Sequence, residues 1–149
     1  MTDFIGLFIL FAGFIIGLGA VTIIDIHGFL GRTSSYWTEA TTRTHKVSKP
    51  LIWLGMLMIT CGGFLFYKEY GLHTITIIHI ISLFIMIING VFLSFSVSPY
   101  LIERERMGKE KELLPKTWQN KITISFLISF VLWWGNLLLV VWVITSNLK

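Results

Sequence analysis

Charge is scarce in this chain. Of its 149 residues only 13% are Asp, Glu, Lys or Arg, whereas 54% are hydrophobic; a soluble domain carries roughly a quarter charged residues. That balance excludes an ordinary water-soluble fold. Cysteine is nearly absent as well. Cys61 stands alone, so no intramolecular disulfide is possible, and its setting between Thr60 and Gly62 reads as a small helix-packing residue. The start of the chain lacks the positive residues of a secretory signal, and the apolar run from Phe4 to Ile24 is longer than such a signal needs, so it reads as a retained first helix. Glycine-rich phosphate loops, CxxC pairs, a helical HExxH and a Ser/His/Asp arrangement are all missing, which removes the usual enzyme signatures.

What is present is four long apolar runs. A bilayer-spanning helix needs about 20 mostly apolar residues, and four such spans with their connectors use up the chain as one domain. The expected fold is all-α, a four-helix transmembrane bundle, with helices at about 4–26, 50–67, 72–98 and 122–145. Ser48, Lys49 and Pro50 suit the opening of the second helix. Pro99, which cannot continue a helix without losing a hydrogen bond, is expected to end the third.

The positive residues are unevenly shared. Arg32, Arg43, Lys46 and Lys49 follow the first helix, and Arg104, Arg106, Lys109, Lys111, Lys116 and Lys121 follow the third, leaving Lys68 and Lys149 for the other side. The positive-inside rule places these ten in the cytoplasm, with both termini and the Lys68–Gly71 turn outside. The same topology accounts for the net charge of +4 without nucleic acid as a partner. Tyr36, Trp37, Trp53, Tyr100 and Trp118 near the inner surface, and Tyr67, Tyr70 and Trp142 near the outer, suit aromatic belts. Within the first loop, 31–49, Thr38 to Val47 can form a surface helix with Glu39 and Arg43 paired four residues apart. The second, Tyr100 to Lys121, with Glu103, Arg104, Glu105 and Arg106 in sequence, reads as a solvated helical extension.

Two groups of polar residues are candidate sites. In the third helix His79, Ser82, Met86, Asn89 and Ser96 recur at helical spacing, which predicts a stripe facing protein. In the fourth, Ser125, Ser129 and Asn136 fall near one face, and their partner surface is expected to include Gly13 and Gly17 of the first helix, a pair small enough for close approach. Such residues commonly hydrogen-bond between helices; the functional alternative is a polar core or pocket of His79, Ser82, Asn89, Ser129 and Asn136. His79 lies about seven residues from the outer end, roughly 10 Å deep, with Asn136 at comparable depth as its expected partner.

The second group is at the cytoplasmic edge: Asp25, His27, Glu39 and His45. A carboxylate near the membrane is a functional candidate. Asp25 is read either as a cap or an ion-pair partner of Arg32, Arg43 or Lys46, chiefly one of the two arginines, or as part of a metal site with the other three. Haem is the remaining cofactor to weigh, but the four histidines do not supply two axial ligands at one depth, so only a single ligation by His79 is conceivable.

Gly17, Leu18 and Gly19 with Asp25 closing the first helix, Glu39 in the loop, Ser48 followed by Leu51, Ile52, Trp53, Leu54 and Gly55, then Gly62 and Gly63, and Asn89 and Gly90 with Pro99, resemble a family of small bacterial four-helix membrane proteins of unknown function. The chain is more distantly similar to the membrane domain of copper-resistance protein D, through Tyr70 and Gly71 opening the third helix, although the usual histidine early in the first helix is missing. The resemblance implies the same architecture and singles out Asp25, Glu39 and Asn89. The expected function is that of a non-enzymatic multi-pass protein of the bacterial inner membrane, either an accessory subunit of a larger membrane complex or a small-solute or ion-handling bundle. Its partners are the lipid bilayer and a homo-oligomer or larger assembly. The alternative is a haem- or metal-binding redox protein using His79 or the Asp25 and His27 cluster.

Overall fold

A computed structural model describes residues 2–68 and 73–147. The expected turn at Tyr70 and Gly71, the expected third-helix start at Leu72, and Lys149 lie outside the described residues. The regular elements of the described residues are all helical: α1 Thr2–Leu30, α2 Ser35–Tyr67, α3 Thr74–Phe92, a π-helical turn Leu93–Val97, α4 Ser98–Arg106 and α5 Lys116–Asn147. With α3, the π turn and α4 running on as one rod, four helices of 27 to 33 residues are long and apolar enough to cross a membrane. Their outward surfaces are covered with Ile, Leu, Phe and Val, among them Ile15, Leu57, Phe84 and Leu138. A helical bundle suits lipid, because most backbone donors and acceptors are satisfied within their own helix.

The helices are longer than expected, for identifiable reasons. The first loop shrinks to residues 31–34, and α2 begins at Ser35 and runs through Pro50. The bond that Pro50 forfeits is the one to the carbonyl of Lys46, and both residues are exposed at the end of the bundle, where the carbonyl can meet water. Thr38 holds the short turn by donating its hydroxyl to the carbonyls of Gly31 and Ser34, at 2.8 and 2.9 Å.

Pro99 does not end the third rod. The π turn before it shifts hydrogen bonding to five-residue spacing, as when the Ser98 N–H reaches the carbonyl of Leu93. In that register Pro99 would have donated to Ser94. Lys49 Nζ reaches the Ser94 carbonyl at 3.3 Å instead, and Trp53, one turn along α2, donates to the Ser94 hydroxyl at 3.0 Å. Trp53 therefore points inward and is not part of an aromatic belt.

The main helix pair is antiparallel α1 against α2, joined along their whole length. A Cβ on Gly55 would lie 2.5 Å from Gly17 Cα and 2.8 Å from the Gly13 carbonyl, and one on Gly62 would lie 2.8 Å from the Gly6 carbonyl. Backbones this close gain van der Waals contact where lipid provides no hydrophobic drive. Gly13 and Gly17 thus serve the α2 interface. Helix α5 reaches Gly17 through Trp133, whose buried ring covers it, and Ser125 and Ser129 face Asn89 instead.

Between Arg106 and Lys116 the second connector is not helical. Gly108, at φ 67°, stops α4 with the bond pair of a Schellman turn, Gly108 N–H to Glu105 and Lys109 N–H to Arg104. Arg104, expected in solvent, is buried and donates through Nη2 to the carbonyls of Lys109 and Glu112 at 2.9 and 2.8 Å.

Candidate functional site

The polar stripe of the third helix divides into a sealed part and an open part. Asn89 is buried between α3 and α5. Its Nδ2 donates to the Ser125 carbonyl at 3.1 Å and the Ser129 hydroxyl at 2.9 Å, while its Oδ1 accepts from the Ser125 hydroxyl at 2.7 Å. Every polar atom of the amide is used, so this network is glue between two helices and offers nothing to a ligand. Ser96, expected on the same stripe, is exposed. The π turn carries one extra residue per turn of bonding, so the buried face moves to Ser94, Val97, Ser98 and Leu101. Ser82 is half-buried between the two parts.

Toward the end of the bundle that carries both termini, the four helices part around a cavity of about 550 Å³. Leu10 and Phe14 of α1, the last turns of α2, Thr76 to Met86 of α3, and Asn136 and Val140 of α5 surround it. This is within the 300–1,000 Å³ range of small-molecule sites, and like them it is lined mainly by apolar groups with a few polar ones. Phe64 and Ile80, on its α2 and α3 walls, are 72% and 53% exposed on the outer surface of the bundle. These two helices touch only sparsely, so the cavity opens sideways between them.

His79 stands on this wall, half-buried. Its Nδ1 pairs with the Tyr67 hydroxyl at 2.6 Å, and the two rings tilt against each other with centroids 5.2 Å apart. The partner is therefore Tyr67 of α2 and not the Asn136 side chain. Asn136 Nδ2 is committed to the Leu132 carbonyl at 2.7 Å and to Met86 Sδ at 3.4 Å. The Asn136 main-chain carbonyl lies near the imidazole but outside hydrogen-bonding geometry, and the buried Nε2 has no partner. Tyr67 was legible only as an interfacial aromatic, because its proximity to His79 depends on how α2 and α3 meet.

The four residues at the opposite end do not converge. His27 Nδ1 pairs with Thr44 Oγ1 at 3.0 Å, with its ring against Trp37. Glu39 and Arg43 form the anticipated pair at 2.5 Å. Lys46 reaches Glu105 at 2.6 Å, tying α2 to α4. Asp25 Oδ2 and His45 Nε2 are buried without hydrogen-bond partners. The expected ion pair of Asp25 with Arg32 or Arg43 is not formed, since Arg43 is taken by Glu39 and Arg32 stands over the Phe29 ring at 5.6 Å. Among the described residues no three His, Cys, Asp or Glu side chains gather as a metal site would require.

Fold and cavity define a multi-pass membrane protein, a four-helix bundle with an apolar pocket open to its flank. No family model, curated protein or solved structure matches the chain.

Proposed function

We propose that this chain is a non-enzymatic protein of the bacterial inner membrane, with both termini outside the cytoplasm, and that it handles a small solute held in the cavity near its termini. The observation that carries this reading is the cavity itself. Membrane bundles normally close their interiors by side-chain packing, yet four helices leave about 550 Å³ unfilled beside a polar pair. Of the two roles the sequence suggests, accessory subunit and solute-handling bundle, the cavity favours the second. Four helices leave little room for alternating access in a monomer, so transport would call for an oligomer.

Native mass spectrometry of the gently extracted protein tests this. The parent should carry a bound small molecule, and Leu83→Trp, which places an indole in the cavity, should release it while melting as the parent does. Ile80→Trp, at the side opening, should reduce occupancy similarly. A parent without bound mass, or folded variants that retain the same mass, would overturn the proposal.

A further inference from the structure

We propose that the cavity takes a lipid-soluble, planar carbonyl compound of the quinone type, with one ring oxygen accepting a hydrogen bond from His79 Nε2. The inference rests on the preceding reading and adds the chemistry of the ligand. Among the described residues four buried polar side-chain atoms have no hydrogen-bond partner, on Asp25, His45, His79 and Glu110, and of these only His79 Nε2 belongs to the wall of the large cavity. An unpaired buried polar atom is destabilising, a cost that a ligand atom in the cavity can remove.

The Tyr67 contact is compatible with such a donor. In the tautomer in which the phenol donates to Nδ1, the imidazole carries its hydrogen on Nε2, and that N–H is a donor on the cavity wall. A donor selects an oxygen acceptor. The remaining walls are hydrocarbon and aromatic rings, with Phe14, Phe64 and Tyr67 on two helices, and such surfaces prefer a flat conjugated partner that offsets or meets them edge-on. The flank opening between α2 and α3 faces the lipid-covered surface marked by Phe64 and Ile80, so the ligand enters from the bilayer and must partition there.

Two competing chemistries fit less well. A fatty carboxylate needs a compensating charge, and among the described residues the only cation on the wall is Lys68, exposed at its rim; a neutral imidazole deeper in the cavity cannot offset a buried anion. A metalloporphyrin could take Nε2 as one axial ligand, but a six-coordinate site needs a second across the ring. The Met86 thioether is engaged by Asn136, and the described residues hold no further ligand cluster.

The test uses the full chain in phosphatidylcholine nanodiscs, with tryptophan fluorescence read during titration by a decyl-substituted benzoquinone. The parent should show saturable quenching above that from partition into lipid. His79→Leu should weaken binding about tenfold, the value of one hydrogen bond, whereas His79→Gln, whose amide still donates, should stay within about threefold. Unchanged melting temperatures certify the variants. Equal affinity in His79→Leu, no saturable quenching in the parent, displacement of the quinone by stoichiometric oleate, or a Soret band in the purified protein would each overturn the proposal. If the quinone fails while Leu83→Trp still releases a bound mass, the cavity remains a solute site and only the ligand class is wrong.

Discussion

Replacing Asn89 by leucine keeps the branched outline of the side chain, with bulkier end groups, and removes one amide from the interface between α3 and α5. That amide makes three hydrogen bonds, to the Ser125 carbonyl and to the hydroxyls of Ser125 and Ser129. In membrane bundles such bonds average about 0.6 kcal/mol each, with a maximum near 1.7, so the direct loss is roughly 2 kcal/mol. Part of it is recovered, because a helical serine can turn its hydroxyl to the carbonyl four residues back. The expected destabilisation is therefore about 1–2 kcal/mol, read as a shifted midpoint when the protein in mixed micelles is titrated with denaturing detergent. Ser129→Ala removes one bond and should cost about 0.6 kcal/mol. In the Asn89→Leu background the same change should cost almost nothing, since its partner is already gone. Ile88→Leu, on the exposed flank, is the control. Asn89→Leu as stable as the parent, or additive effects of the two substitutions, would refute the reading of Asn89 as a satisfied structural link.

Gly55→Leu should push α1 from α2, because even a Cβ meets Gly17 Cα at 2.5 Å; a loss of about 1–3 kcal/mol is expected from overpacking, while Gly19→Ala, with open space around it, should be neutral or slightly stabilising. Arg104→Met should release the segment 107–115, since the guanidinium that gathers the Lys109 and Glu112 carbonyls is lost. Limited proteolysis should then cut that segment at least several times faster, and an unchanged rate would mean that the Schellman turn at Gly108 suffices to order it. A reporter fused after Lys149 should be active only outside the cytoplasm and one inserted near Gly108 only inside; activity of both in one compartment would break the four-span topology.

Helix number and the hydrophobic spans follow from the sequence because lipid imposes them locally: a run of apolar residues of sufficient length must become a helix, whatever its neighbours do. The Glu39 and Arg43 pair was legible for the same reason, as both lie on one helix at a fixed spacing. So was the inward direction of Asn89, since an amide facing lipid would go unsatisfied. The order of apolar and polar residues thus determined four helices long enough to cross a membrane and the inward turn of Asn89. Only the tertiary structure decided where each of those residues went. Pro99 reads as a stop until Lys49 from another helix replaces its missing donor, and the π turn there rotates Ser96 off the stripe that its spacing predicted. Gly13 and Gly17 advertise a close approach without naming the helix that makes it. The pairing of His79 with Tyr67 and the cavity beside them arise where α2 and α3 diverge, and divergence between helices depends on side chains far apart in the sequence, to which no local pattern is sensitive.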